Sequence, residues 1–175
     1  MFNLLKKNIK SAYAESINEV LDGSKVNDVV SDLSYALIDD RGMDSEVPFK
    51  KQLGINKLNY SLESLKIVDQ YLNYVRANKN TLKKEEFISV VARCGAYCGE
   101  VIRRNSKQHW EWITDNKAVE LDQRLGEYAI YGFVLYETLT KTFTFPLAKV
   151  VKFLEGGAGD DLYSFAYVLI NRNKK

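Results

Sequence analysis

One histidine, two cysteines and two prolines occur in 175 residues, and 25 basic residues nearly balance 23 acidic ones. Each scarcity removes a class of function. A closed zinc site takes four ligands, and Cys94 and Cys98 with the lone His109 do not supply them, so no metal is assigned. Two cysteines four residues apart on one helix share a face but do not make a disulfide framework, which fits free thiols in a reducing compartment. Residues 1 to 60 hold 8 basic and 9 acidic side chains, 61 to 105 hold 8 and 5, and 106 to 175 hold 9 and 9. That is far from the clustered cationic stripe that phosphate binding needs, so nucleic acid is not an expected partner.

The longest apolar run, Tyr128 to Tyr136, is about half of what a membrane crossing requires. Met1 to Lys10 is broken by Lys6 and Lys7 and lacks the apolar stretch of a secretory signal, so a cytoplasmic chain with no membrane partner is expected. There is no Walker pattern, dinucleotide fingerprint, His-Glu zinc helix or nucleophile elbow. No catalytic residue and no cofactor is therefore assigned.

What is present is core-forming material, 46% hydrophobic and 12% aromatic. Leu5, Ile9, Ala12, Tyr13, Ile17 and Val20 recur at helical spacing over Phe2 to Leu21, with Gly23 as a C-cap, and Ser24 can cap a second helix carrying Val26, Val29, Val30, Leu33 and Leu37. Residues 1–42 thus read as a helical hairpin. Arg41 to Asn59 loses all periodicity and contains Pro48 and Gly54, which predicts a long, mobile surface loop over 43–60. A third helix starts near Ser61 with Leu62, Leu65, Val68, Leu72 and Val75 as its stripe.

Thr81 can cap a fourth helix, Leu82 to Arg104, whose apolar side chains spread over half its circumference while Ala92, Ala96 and Gly99 form a narrow small-residue stripe opposite. Glycine inside a helix costs about 1 kcal/mol relative to alanine, so Gly95 and Gly99 predict an element lying close against that backbone. After Asn105 the period changes: His109 to Thr114 alternates, Ala118 to Leu121 is a short candidate strand, and Glu127 to Thr138 is rich in β-formers. Pro146 to Leu154 and Leu162 onward read as two C-terminal helices, the second capped by Asp160 or Asp161. The expected fold is a helix-rich α+β single domain, 1–175, with a central buried helix packed on a small antiparallel sheet over 106–140 and helices over 61–105 and 145–172.

The sharpest side-chain cluster is Glu100, Arg103 and Arg104, because arginines three and four residues beyond a carboxylate can grip it bidentately. It reads either as a structural ion pair or as an anion or partner contact. Trp110 and Trp112 point the same way on a regular strand, as a core wall or as a sticky patch beside the arginines. Cys94 and Cys98 sit on the centre of the apolar face, which favours burial over reactivity. Gly156, Gly157 and Gly159 before Asp160 and Asp161 look like an anion loop, but acidic residues there repel an anion and fit a cap better.

Three phrases, Ser61 to Leu72, Gly95 to Arg104 with Trp110 behind it, and Phe145 to Glu155 leading to Asp161 to Phe165, resemble a group of small bacterial proteins of uncharacterised activity. The resemblance spans roughly residues 60 to 170 and shares the patterns SLxxVDxYL, GAYxGEVIRR and FPxxKVxKFLE. It implies a bacterial cytosolic protein with a helix, strands, helix order and carries over no site residue. Small bacterial domains without an active-site signature are often dedicated binders, so the expectation is a non-enzymatic protein-binding protein, most concretely an immunity protein neutralising a cognate toxin. Its contacts are expected on the 41–59 loop and the rim of the sheet. The alternatives are a small-ligand protein or enzyme with a pocket near Glu100, Arg103 and Trp110, and a homo-oligomer.

Overall fold

The computed structural model describes residues 25–41 and 45–172. The expected helix over Phe2 to Leu21, with its Gly23 and Ser24 caps, lies outside them. Helix α1, Val26–Tyr35, begins the described chain and turns Val26, Val30 and Ser34 inward. From Ser45 onward, the segment expected to be a mobile loop is instead a packed strap. It buries Val47, Leu53 and Leu58, and two 3₁₀ turns, Lys50–Gln52 and Ile55–Lys57, aim these residues inward at a spacing that matches neither helix nor strand. Asp40 closes one end by accepting from the Val47 amide at 2.8 Å and pairing with Lys50. Tyr71 Oη donates to the Pro48 carbonyl at 2.6 Å, and buried Arg93 donates to the Ser45 carbonyl at 2.6 Å.

Ser61 caps a 3₁₀ turn that leads into α2, Leu65–Ala77, whose predicted stripe of Leu65, Val68, Leu72 and Val75 is buried. Helix α3, Lys84–Asn105, starts two residues later than expected. Thr81 spends its hydroxyl on the Asn78 carbonyl, and Glu86 instead satisfies the Lys83 amide at 2.7 Å. From Val90 to Ile102 every residue of α3 is buried, which is the signature of a helix enclosed on all sides. It is flanked by α1, by α5, Pro146–Gly156, and by α6, Leu162–Asn171.

The two glycines explain how neighbours come so near. A Cβ on Gly95 would lie 2.7 Å from Leu147 Cα in α5, and one on Gly99 would lie 2.1 Å from Trp112 Cζ2. Both notches are therefore filled, one by a helix backbone and one by an indole.

The sheet has the order β1-β2-β3 and is antiparallel throughout, with β1 at Trp110–Thr114, β2 at Phe133–Glu137 and β3 at Thr142–Thr144. Trp112 pairs with Leu135, and Leu135 with Thr144. Ala118 to Leu121 is not a strand but the end of α4, Asp115–Leu121, capped by Thr114 Oγ1 on the Lys117 amide. Its Ala118 packs with Val134 and Ala129 against the sheet face turned away from α3, with Ile113 and Phe143 around them. A four-residue apolar string fits strand and helix alike, and here covering that second sheet face decides it. The sheet also extends past 140, because β3 follows a tight hairpin in which Lys141 takes φ 55°.

Helix α6 begins where expected, with Asp161 accepting from the Ser164 amide at 2.6 Å. Among the described residues no helix is long and apolar enough to cross a membrane.

Candidate functional site

Helix α3 delivers Glu100, Arg103 and Arg104 one turn apart, beside the Gly99 notch that admits Trp112. Glu100 is fully buried, and its carboxylate is saturated. Oε1 accepts from Arg103 Nε at 2.8 Å and from Trp112 Nε1 at 3.0 Å, while Oε2 accepts from Arg103 Nη2 and Arg104 Nε, each at 3.1 Å. Burial opposes ionisation of Glu100, but the bonds from Arg103, Trp112 and Arg104 outweigh it, and its pKa lies below the ordinary glutamate value. The arginines emerge to the surface, with side chains 33% and 41% exposed, so the ion pair runs from the core outward.

Arg104 lies over the Tyr60 ring at 3.7 Å, and that ring stacks on Tyr97 at 4.8 Å. Tyr60 holds φ 60°, an outlier for a bulky residue, and its backbone is clamped at both ends: its amide donates to Tyr97 Oη at 3.0 Å and its carbonyl accepts from Asn105 Nδ2 at 2.8 Å. Ser34 and Ser64 complete the network through the Tyr60 and Tyr97 hydroxyls. Sequence reasoning missed Tyr60, Tyr97 and the serines, because they reach the cluster from three elements with no shared spacing. It also missed Asn27, whose Oδ1 accepts from the Trp112 amide at 2.9 Å and ties α1 to the outer edge of β1.

All five predicted site residues thus meet near the end of α3, in structural engagements. Trp112 is 1% exposed and Trp110 6%, so the pair forms a core wall; Trp110 Nε1 is used by Ser106 and Gln108. Cys94 and Cys98 are fully buried, and burial pushes both thiols up, away from nucleophilic use. His109 is exposed, one residue before β1. Among the described residues no group of three or more His, Cys, Asp or Glu side chains is placed to hold a metal ion.

A concavity with an apolar lining lies elsewhere. A groove of about 370 Å³ opens between β3, the 127–131 segment, α5 and α6, walled by Tyr128, Tyr131, Phe143, Phe145 and Phe165, with Lys149, Lys152 and Glu127 as its charged residues. Its volume falls in the range of small-ligand and anchor pockets, about 300–1,000 Å³. None of the five predicted residues lines it. Lys149 is held by Asp160 at 2.7 Å, whereas Lys152 is exposed and has no ion pair among the described residues. Only the tertiary packing gathers these aromatics, which lie far apart in the chain. Comparison of the chain with protein-family models, curated proteins and solved structures found no match.

Proposed function

We propose that this chain is a non-catalytic, cytoplasmic protein-binding protein of bacterial origin, acting as an immunity protein against a cognate toxin. The observation that carries the reading is the division of labour in the molecule. The carboxylate of the polar cluster best suited to chemistry is buried and saturated by its own neighbours, while an open concavity beside β3 is aromatic and aliphatic with Lys149, Lys152 and Glu127 among its lining. Such a surface suits an anchor side chain from a partner, since aromatic-lined pockets dominate binding energy at interfaces. The near-neutral charge argues for a toxin other than a basic nuclease, or for local charge matching.

The partner surface in this reading joins the outer side of the strap, at Lys51 and Gln52, with the rim of the sheet near β3. Deleting the strap does not test it, because Val47, Leu53 and Leu58 belong to the core. The test mixes the purified protein with the purified product of the adjacent gene and follows complex formation by calorimetry, with survival of co-expressing cells as the second readout. A stoichiometric complex with protection is the expected result. Absence of both, with the folded protein present, overturns the proposal.

A further inference from the structure

The groove beside β3 has a geometry that specifies its occupant more closely than its apolar lining does. Phe143 and Thr144 are consecutive strand residues, so their side chains leave opposite faces of the sheet, yet both line the groove. The groove therefore runs along the edge of β3. The ladder parity then shows which backbone groups face it. The Trp112 amide points away from β2, toward Asn27, so Trp112 and Leu135 are a pair without mutual hydrogen bonds, and Leu135 turns its N–H and C=O toward Thr144. One residue back, opposite Tyr136, Phe143 presents its own N–H and C=O outward, into the groove.

The two sheet edges are treated differently. On β1 the outward amide of Trp112 is taken by Asn27 and α1. On β3 no further strand follows in the sheet order among the described residues. An open edge with an aromatic pocket beside it and a cation within reach matches the requirements of strand addition, where main-chain bonds give affinity and a pocket takes alternate side chains.

Resting on the binding function proposed above, we infer that the groove takes an extended segment of the partner protein, paired to Phe143 at the β3 edge. An aromatic or large aliphatic side chain fills the space between Tyr131, Phe145 and Phe165, and a carboxylate two residues along meets Lys152. The spacing of two follows from the strand period, which returns every second side chain to the same face. The acid is directed at Lys152 because Lys149 is held by Asp160 at 2.7 Å, Lys152 feels Asp160 only through space, and the other charged residue of the lining, Glu127, lies on the 127–131 side.

The test uses the full chain and the blocked peptide Val-Phe-Thr-Glu-Val, followed by amide chemical shifts. The expected result is saturable perturbation at Phe143, Tyr131 and Phe145, with binding about tenfold weaker for the peptide carrying lysine in place of glutamate and for Lys152→Glu. Phe143→Ala and Phe143→Pro both lose the ring, but only proline also loses the outward N–H, and that N–H serves no sheet bond. Phe143→Pro binding more weakly than Phe143→Ala, with both variants folded by circular dichroism, supports main-chain pairing. Equal binding by the two, indifference to the lysine peptide, or phenylacetate binding as tightly as the peptide overturns it. So does a Phe143 shift on dilution of the protein alone, which assigns the edge to a second copy. If the complex with the adjacent gene product forms but Lys152→Glu and Phe143→Pro leave it intact, the binding function stands and this inference falls; if the peptide binds but no such complex forms, the reverse holds.

Discussion

Gly99→Ala is the substitution whose outcome depends most directly on the close approach at the centre of the fold. On helix propensity alone it should stabilise, because alanine is favoured over glycine in a helix interior by about 1 kcal/mol. The structure opposes that gain. The new methyl group would sit 2.1 Å from Trp112 Cζ2 and 2.3 Å from Cη2, so the indole has to move. Trp112 is 1% exposed and its indole lies against α3, which makes the move an overpacking event costing about 1–3 kcal/mol. Moving the ring also draws Nε1 away from Glu100 Oε1, a hydrogen bond to a charged acceptor worth about 1.5–3 kcal/mol. The net expectation is a loss of about 2–4 kcal/mol, a drop in Tm of several degrees for a domain of this size. Urea unfolding followed by circular dichroism and tryptophan emission measures it. Gly126→Ala, where a Cβ would meet nothing within 4 Å, is the control and should be neutral or slightly stabilising. In a Trp112→Leu background the penalty of Gly99→Ala should shrink toward zero. A variant as stable as the parent, or a penalty unchanged without the indole, refutes the notch.

Glu100→Ala should cost about 3–5 kcal/mol, because it leaves the Trp112 N–H and two guanidinium groups without their acceptor, whereas Arg104→Ala should cost about 1 kcal/mol since its side chain is 41% exposed; thermal denaturation that ranks them equally counts against the buried hub. Burial pushes the Asp69 carboxyl from 3.8 up to about 6, with Asp161 adding to it, although the Leu162 and Tyr163 amides donate to it at 2.8 and 3.1 Å. A folded-state pKa above the unfolded one contributes stability that is complete below pH ~3.8 and lost as pH rises through ~6, so Asp69→Asn should gain on the parent by about 2–3 kcal/mol between pH 4 and 7. A stability difference that stays flat over that window would exclude this linkage. Cys94 and Cys98 should resist a thiol reagent at neutral pH until the protein is unfolded in urea, and a stoichiometric reaction with the native protein would show that α3 is not enclosed.

Much of this fold could be read from spacing. The stripe of Leu65, Val68, Leu72 and Val75, the cap at Asp161 and the proline at the head of α5 are local signals, because capping, propensity and period act within a few residues. The glycines of α3 could be read too: a destabilising residue in a helix predicts a close neighbour without naming it. What spacing did not reveal was Trp112 and Leu147 as the neighbours, or the turn of Val47, Leu53 and Leu58 into the core by two 3₁₀ turns.

Composition and periodicity by themselves determined that this chain is a helix-rich α+β domain built around one buried helix, since burying an apolar face is a property each segment carries in its own pattern. Tertiary structure alone decided that Ala118 to Leu121 is a helix, that Glu100 is saturated by groups from two elements, and that β3 adjoins an aromatic groove. Those features depend on which surfaces meet, and a contact between residues far apart in the chain leaves no period in it.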